Sequence, residues 1–355
     1  MRKIIVTGCA GFIGSHVTER ILREGYDVYG IDNLSGAYPQ GLADMRLNRL
    51  YALEKLVGAG SFECHNISIG SKWVLGNVET YRELTDKNFD ALLHFAATPG
   101  VRRSISEPQL YVENNIAGTV AILELARQLE IKKVLLASSS SVYGNGSAIL
   151  DGDTGEVKDI RKCVEVSGCY PISPYAASKA AMELMGLTYH NLYGMDIIIP
   201  RYFTVYGEAG RPDMAYFKFM LNLAQGKPLT VYGDGKQVRD MTYIGDAVAA
   251  TLSMLELTGY QVINVGGGSP VSLNDVISLI CTNMGVIPEI RYTVAAQGDP
   301  FATCADTGKA KYLIGWKAMV GIEEGIKRTV EWFLENKEQL LGIFREEVGH
   351  ADQDS

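Results

Sequence analysis

The first two hundred residues alternate short apolar runs, rich in β-branched residues, with longer amphipathic segments. The runs KIIVTG, DVYGID, FDALLHFAA and KKVLLASSS predict buried strands, and the periodicity of Phe12 to Leu22 and of NIAGTVAILELARQL predicts helices between them. Because strands that alternate with helices usually pair in parallel, this rhythm predicts an α/β fold of the Rossmann type. Such a fold is a doubly wound parallel sheet with helices on both faces.

After about residue 205 the pattern changes, and turns that contain Pro and Gly, such as GKPLTVYGDGK and VGGGSP, separate shorter elements. This change predicts a smaller α/β substrate domain on the C-terminal side. We predict a first domain over 1–190 that returns near 197–206 and 241–258, and a second domain over 191–336. The charged tail, 337–355, is expected to face solvent.

Composition narrows the possible partners. The 355 residues carry a formal net charge of −8, which argues against nucleic acid and still allows an anionic small ligand in a locally positive pocket. No leader pattern and no apolar run near the ~20 residues of a membrane span are visible, so we expect a cytoplasmic protein without a membrane partner. The six scattered cysteines lack zinc-site spacing, so we expect no metal and reduced thiols, although Cys163 and Cys169 could pair in a loop.

The segment TGCAGFIG follows the first predicted strand and opens the first predicted helix. Its glycines, Gly8, Gly11 and Gly14, have the spacing that lets a backbone turn approach a pyrophosphate at a helix N-terminus. Asp32 ends the second predicted strand, where a carboxylate can bind ribose hydroxyls and would repel a 2′-phosphate. The combination predicts an NAD site in the first domain rather than an NADP site.

A second candidate site combines a helix start with a serine-rich strand end. Ser173 followed by Pro174 predicts an N-cap and first helical position, which places Tyr175 and Lys179 on one helix face. A lysine ammonium near a phenol favours the phenolate, so Tyr175 is a candidate general base. The strand KKVLL ends in the four serines of ASSSSVYG, and hydroxyls in that position could bind a reacting oxygen.

Together, these motifs resemble the extended short-chain dehydrogenase/reductase superfamily of nucleotide-sugar enzymes over residues 1 to about 335. Within it, the segments GIDNLS, RLNRL, GVRRS, ASSSSVYG, RYFTVYGEAGRPDMAYFKF and RDMTYIGDAV look most like those of UDP-glucuronate 4-epimerases. The resemblance implies NAD as cofactor, a UDP-sugar as substrate and a homodimer formed through helices of the first domain. It also implies three sets of site residues.

The catalytic set is Ser139, Tyr175 and Lys179. The implied cofactor residues are Gly8, Gly11, Phe12, Ile13, Gly14, Asp32, Asn33, Asn66, Ile67, Phe95, Ala96, Ala97, Tyr175, Lys179 and Tyr202. The implied substrate residues are Thr98, Arg102, Asn115, Ser139, Ser140, Ser141, Tyr175, Thr204, Arg211, Val231, Arg239 and Asp299.

The chain departs from the family pattern in three places. Asn66 precedes Ile67 where the family usually has Asp, and Ala296 stands where Arg or Gln often precedes the GDP segment that contains Asp299. The connection over 145–171 is longer than usual. These departures concern the adenine side, the diphosphate side and the identity of the sugar, respectively.

The resemblance implies oxidation at carbon 4 of the sugar, with the proton taken by Tyr175, followed by rotation and reduction of the 4-keto sugar from the opposite face. If the sugar is a glucuronate, that intermediate is a β-keto acid that readily loses carbon dioxide. Ser140 and Ser141 could hold its carboxylate, and the acidic residues that similar dehydratases and decarboxylases carry there are missing. Four alternatives remain open, namely a plain strand cap for these serines, a neutral UDP-hexose or UDP-N-acetylhexosamine 4-epimerase, a UDP-glucuronate decarboxylase, and a non-catalytic NAD-binding protein.

Overall fold

The computed structural model describes residues 3–35, 39–56, 58–69, 84–85, 87–150, 157–294 and 300–351. Its strands are β1 (Lys3–Thr7), β2 (Asp27–Asp32), β3 (Phe62–Asn66), β4 (Ala91–His94), β5 (Lys133–Leu136), β6 (Ser138–Ser139), β7 (Ala148–Leu150), β8 (Val157–Ile160), β9 (Asp196–Tyr202), β10 (Thr204–Tyr206), β11 (Leu229–Tyr232), β12 (Val238–Tyr243), β13 (Tyr260–Val265), β14 (Pro270–Ser272) and β15 (Ile290–Thr293).

The α-helices are α1 (Phe12–Arg23), α2 (Gln40–Glu54), α3 (Val101–Ser106), α4 (Pro108–Tyr111), α5 (Gly118–Gln128), α6 (Pro174–Tyr193), α7 (Ala215–Ala224), α8 (Ile244–Ser253), α9 (Leu273–Met284), α10 (Gly308–Ile314), α11 (Ile322–Glu335) and α12 (Lys337–Ala351). A π-helical turn, Val112–Ala117, joins α4 to α5, and a 3₁₀ turn, Ser140–Tyr143, follows β6.

A parallel sheet with strand order β3-β2-β1-β4-β5-β9-β13 forms the centre of the molecule, and β6 extends it by pairing with β9. The sheet is buried on both faces, since Ile4 and Val6 of β1 pack into one apolar cluster and Ile5 into a second on the other face. The predicted Rossmann-type fold is confirmed. The strand order reverses between β1 and β4, where ligands bind in folds of this type.

Three smaller sheets lie outside the central one in the part of the chain that the structure describes. They are the three-stranded sheet β10-β12-β14, the parallel pair β11-β15 and the hairpin β7-β8. Strand β13 belongs to the large sheet and was not among the predicted returns to the first domain. It pairs in parallel with β9 after the crossover helix α8, which packs on α1. The exact division into two domains stays a prediction.

The C-terminal segment differs from its prediction as a solvent-facing tail. It forms α12, in which Leu340 and Leu341 are buried and Phe344 packs against the main apolar cluster. These positions recur one turn apart, so a charged segment still presents an apolar stripe to α2. Within the described ranges, the structure contains no helix both long and apolar enough to cross a membrane.

Candidate active site

The glycine-rich turn between β1 and α1 packs too tightly for side chains. Gly8 has a φ of +73°, and a Cβ added there would lie 2.6 Å from the backbone nitrogen of Ala96. A Cβ on Gly14 would collide with the carbonyl oxygen of Gly8, and the Gly11 N–H donates to that same oxygen at 3.0 Å. The turn therefore brings bare backbone to the N-terminus of α1, which suits a pyrophosphate.

Asp32 lies at the carboxyl end of β2, beside this turn. Its Oδ2 accepts from the Ala10 N–H and its Oδ1 from the Leu34 N–H, both at 3.0 Å. Burial raises the pKa of Asp32. Each carboxylate oxygen keeps a second lone pair, which a ribose hydroxyl could use. Asn66 is the register partner of Asp32 on β3, so the structure brings the predicted adenosine residues together.

Arg46 of α2, which sequence reasoning did not assign to the site, connects the glycine turn to a distant loop. Its guanidinium is fully buried and donates to the carbonyl oxygens of Ala10, Ala209 and Gly210 at 2.8–3.1 Å. The loop at 209–210 leads directly to Arg211. The RLNRL segment could have drawn attention to this arginine. Two of its three partners, Ala209 and Gly210, however, lie more than 160 residues away in the sequence.

The catalytic helix α6 begins as the sequence predicts. The Ser173 side chain accepts from the Ala176 N–H at 3.2 Å, and Pro174 occupies the first turn. Burial raises the pKa of Tyr175, while the positive charge of Arg211 and a hydrogen bond with Ser139 lower it. Of the charges that act on the phenol, that of Arg211 is therefore the one that favours the phenolate. The sequence motif had led us to expect this role for Lys179.

Lys179 is buried at the bottom of the site. Its Nζ donates to the carbonyl oxygen of Ala137 at 2.7 Å. Burial lowers the pKa of Lys179 to about 8, the negative charge of Glu183 raises it, and the charge of Arg211 lowers it. The ammonium is therefore held near its titration point at physiological pH, and it is fixed against the strand that carries the serines.

The four serines have different surroundings. Ser138 is buried and donates to Glu183 Oε1 at 2.5 Å. Ser139 Oγ accepts from the Ser141 N–H at 3.2 Å and donates to Ser141 Oγ at 3.1 Å, so it caps the 3₁₀ turn while contacting Tyr175. Because Ser141 Oγ accepts that bond, its own proton remains available to a ligand. Local capping and ligand binding are thus both compatible with this segment.

The residues predicted to contact the sugar diphosphate fall into several groups. Asn115 lies in the π-helical turn, where its side chain binds the backbone of Thr98 and donates to Ser178 Oγ at 2.9 Å. It therefore orders the strand β4 loop, and any substrate contact of its own stays a prediction. Arg102 of α3 lies over the ring of Tyr232, 4.2 Å from the centroid, and so connects α3 to β11.

The remaining predicted substrate residues lie on the C-terminal half. Arg211 forms an ion pair with Asp213, and Arg239 donates to the Val238 and Phe301 carbonyl oxygens. Thr204 lies half-buried at the start of β10. Val231 of β11 has a fully buried side chain, and Asp299 lies outside the described residues.

The remaining predicted cofactor residues also have identifiable positions. Phe12 and Tyr202 are buried, and the Tyr202 hydroxyl lies 2.6 Å from Thr251 Oγ1. Ile13 is half-buried on α1, and the Asn33 side chain accepts from the Ser35 N–H. The Ile67 N–H donates to the Asp32 carbonyl oxygen, and Phe95, Ala96 and Ala97 form the half-buried loop after β4, which packs against Gly8. Direct contact of each with a cofactor stays a prediction.

Two further buried acids near the site escaped sequence reasoning. Glu183 follows Lys179 by one helical turn, a spacing that could have indicated it. Asp240 follows Arg239 and accepts backbone bonds from Gly268 and Ala305, so it holds together two loops that are distant in sequence. Burial raises the pKa of Asp240 to about 6.

Comparison with known proteins agrees with this geometry. The model of the NAD dependent epimerase/dehydratase family matches residues 4–266. A UDP-glucuronate 4-epimerase of Thermodesulfobacterium geofontis is 42% identical over 341 residues, which cover 96% of this chain and 98% of that protein. The resemblance expected from the sequence motifs is therefore confirmed.

Two solved structures extend the comparison. The chain is similar to the UDP-glucuronic acid 4-epimerase of Bacillus cereus in complex with UDP-glucuronic acid and NAD, with a TM-score of 0.82 and 33% identity over 94% of this chain and 99% of that one. It is also similar to the UDP-glucose 4-epimerase of Thermotoga maritima with UDP-glucose, with a TM-score of 0.80 and 29% identity over 94% and 99% of the two chains.

Proposed function

Because this chain belongs to the NAD dependent epimerase/dehydratase family, we propose that it is an isomerase that interconverts UDP-glucuronate and UDP-galacturonate at carbon 4. The observation that carries the choice of sugar is the serine segment after β5. There Ser139 is followed by two further hydroxyl residues, Ser140 and Ser141, and neither position holds an acidic side chain. The 42% identical relative named as a UDP-glucuronate 4-epimerase supports the same choice.

The glycine turn and Asp32 fit NAD. Backbone N–H groups at the start of α1 would hold the pyrophosphate, since no Cβ stands in the way, and Asp32 would accept from the adenosine ribose. When bound, NAD supplies reversible removal and return of the hydride on carbon 4.

The chain's own residues handle the proton. Tyr175 takes the proton of the carbon-4 hydroxyl and later returns it, and Ser139 orients that hydroxyl by sharing a hydrogen bond with the phenol. Arg211 contributes the positive charge that favours the phenolate. The absence of acidic side chains at 140 and 141 leaves no proton-transfer pair for elimination across carbons 5 and 6.

The two following serines would restrain the carboxylate of the 4-keto intermediate. Decarboxylation requires the carboxylate bond to align with the carbonyl π system, and Ser140 and Ser141 lie in the 3₁₀ turn beside Ser139. Hydroxyls that donate to the carboxylate from there would keep it out of that alignment.

The direct test incubates the purified protein with UDP-glucuronate and follows the sugar protons by NMR. We expect UDP-galacturonate without a pentose product. Release of carbon dioxide would instead identify a decarboxylase, and turnover of UDP-glucose or UDP-N-acetylglucosamine in preference would identify a neutral-sugar epimerase. Tyr175→Phe is the matched negative control, because it removes the base and leaves the strand end intact.

The role of the serines is tested with Ser140→Ala combined with Ser141→Ala. Each lost hydrogen bond to a charged group is worth about 1.5–3 kcal/mol, enough to shift the partition of the intermediate about tenfold or more. We therefore expect a measurable UDP-pentose fraction from the double variant and none from Ser139→Ala. A double variant that is only slower, without pentose, would show that these serines cap the strand and nothing more.

We further propose a homodimer and a cytoplasmic location. Leu184 and Leu192 of α6 are exposed two turns apart on a helix of the first domain, and Tyr193 is half-exposed beside them. Light scattering should give a dimer mass, and Leu184→Glu with Leu192→Glu should give a monomer. The location is supported by the six cysteines, all of which are free, including Cys9 and Cys64, whose sulfurs share a hydrogen bond at 3.4 Å and form no disulfide. Cell fractionation would test it.

A further inference from the structure

Helix α6 contacts the serine strand through three side chains spaced four residues apart. Tyr175, Lys179 and Glu183 lie on one face of the helix, and each contacts one residue of the segment 137–139. The proposed reaction uses the first two side chains and leaves Glu183 without a role. The three contacts join Tyr175 to Ser139, Lys179 Nζ to the Ala137 carbonyl oxygen at 2.7 Å, and Ser138 Oγ to Glu183 Oε1 at 2.5 Å.

The Glu183 carboxylate joins two neighbouring strands. It accepts from Arg201 Nε at 2.9 Å and from Arg201 Nη2 at 2.6 Å, a bidentate pair in which both side chains are 5% exposed. Ser138 and Arg201 are register partners on β6 and β9. One carboxylate therefore fastens both strands at the residue immediately before Ser139.

The Arg201 guanidinium has further partners behind the pair. Its Nη1 donates to the Glu165 carbonyl oxygen at 3.2 Å, and its plane lies over the ring of Tyr143 at 4.7 Å. Glu165, which lies in the long connection before α6, therefore contacts this ion pair through its backbone. These contacts hold the buried ion pair of Glu183 and Arg201 in one orientation. A residue that positions the strand end at Ser138 has to be fixed in this way.

Glu183 also acts on the charge of Lys179. The groups that face Lys179 are Glu183, whose negative charge raises the pKa of the lysine, and Arg211, whose positive charge lowers it. Tyr175 lies one turn away, and His94 on β4 is held neutral because burial and the charge of Lys179 lower its pKa to about 3. Among these groups, Glu183 is the one that favours the ammonium.

We propose that Glu183 is a positioning residue for catalysis, which holds the strand end at Ser138 so that Ser139 meets Tyr175, and which faces Lys179 from one helical turn along α6. Two measurements test this proposal, turnover and the titration of Lys179, and only turnover rests on the proposed epimerase function. The charge readout is independent of any substrate.

The first experiment separates the two effects. Ser138→Ala removes the bond to Glu183 and leaves the buried ion pair intact, so kcat should fall about tenfold or more while KM and the melting temperature stay near those of the parent. Glu183→Gln removes the charge. The Lys179 side chain, observed by NMR in protein with isotope-labelled lysine and assigned with Lys179→Arg, should then lose its proton at a lower pH, and the alkaline limb of the kcat profile should move the same way.

The second experiment tests whether the loss of turnover results only from destabilisation of the fold. Glu183→Leu combined with Arg201→Met replaces the ion pair with apolar side chains, which restores folding where one unpaired charge would not. Asp246→Asn is the matched control, because Asp246 is a buried acid that accepts from the Met319 and Val320 backbone far from the serine strand. It should lower the melting temperature without changing the Lys179 titration or kcat.

The expected result is a folded double variant that keeps the turnover defect. The proposal is overturned if this variant regains parent turnover, if Ser138→Ala keeps parent kcat, or if Lys179 titrates at the same pH in Glu183→Gln and in the parent. A parent that does not convert UDP-glucuronate would refute the proposed function instead. The lysine titration would then still decide the role of Glu183, and turnover would be measured on the UDP-sugar that the parent does convert.

Discussion

Replacing Arg46 with methionine should both destabilise the protein and loosen the glycine-rich turn between β1 and α1. The buried guanidinium makes four hydrogen bonds to three backbone carbonyl oxygens, those of Ala10, Ala209 and Gly210. Methionine has similar length and no donor, so all three carbonyl groups lose this partner in a buried place.

The magnitude follows from those three groups. A buried polar group left without its partner costs about 1–3 kcal/mol, so three of them give about 3 kcal/mol at the lower bound. Removing the buried arginine also relieves its own desolvation, which is why the lower bound is the better expectation. The positive charge of Arg46 also lowers the pKa of Asp32, so its loss raises that pKa and weakens Asp32 as the proposed acceptor for the ribose hydroxyls.

The assay is equilibrium urea unfolding followed by tryptophan fluorescence, together with the NAD content of the purified protein. Arg23→Met is the matched control on the neighbouring helix α1, since Arg23 pairs with Glu19 at 2.9 Å and its side chain is 53% exposed. We expect the control to change the unfolding free energy by about 1 kcal/mol or less. Arg46→Lys should keep the effect on Asp32 but lose most of the carbonyl bonds, because one ammonium cannot replace the fork.

The reasoning would be refuted by an Arg46→Met variant whose stability lies within about 1 kcal/mol of that of Arg23→Met and which retains NAD at the parent level. Loss of stability with full retention of NAD would restrict Arg46 to a structural role.

Three further predictions concern single positions. Burial raises the pKa of Asp240 to about 6, so its stabilising contribution is present below the unfolded pKa and is lost as the pH rises through 6. The unfolding free energy of the parent should therefore fall by about 3 kcal/mol relative to that of Asp240→Asn between about pH 4 and 7. Free energies that change in parallel with pH would contradict this. Arg211→Gln should raise the pKa of Tyr175 and move the acid limb of the kcat profile to higher pH, whereas Asp213→Asn should lower that pKa and move the limb to lower pH. Shifts of both variants in the same direction would be inconsistent with these charges. Gly14→Ala should abolish NAD retention because its Cβ meets a loop carbonyl, and calorimetry with added NAD would reveal any binding that survives.

Local patterns were sufficient to predict four neighbouring strands of the central sheet, β1, β2, β4 and β5, and the position of the two motifs. The apolar runs and the helical periodicity at the start of the chain indicate β1, α1 and β2 with nearly the observed bounds. The Ser173–Pro174 start and the spacing of Tyr175 and Lys179 predict the face of α6 because helix geometry depends only on neighbours in the chain. The glycine spacing predicts a close turn for the same reason, since φ above zero is a local requirement.

Tertiary structure decided the partners of the buried charges. Arg46 meets Ala209, Lys179 meets Ala137, and Glu183 meets Arg201 across different elements, and nothing in the periodicity of either segment identifies such a pair. The same holds for β13, whose place in the large sheet depends on the crossover before it. A hydrogen bond between distant segments depends on how whole elements pack, so the sequence indicates which chemical groups are available and the fold determines which of them meet.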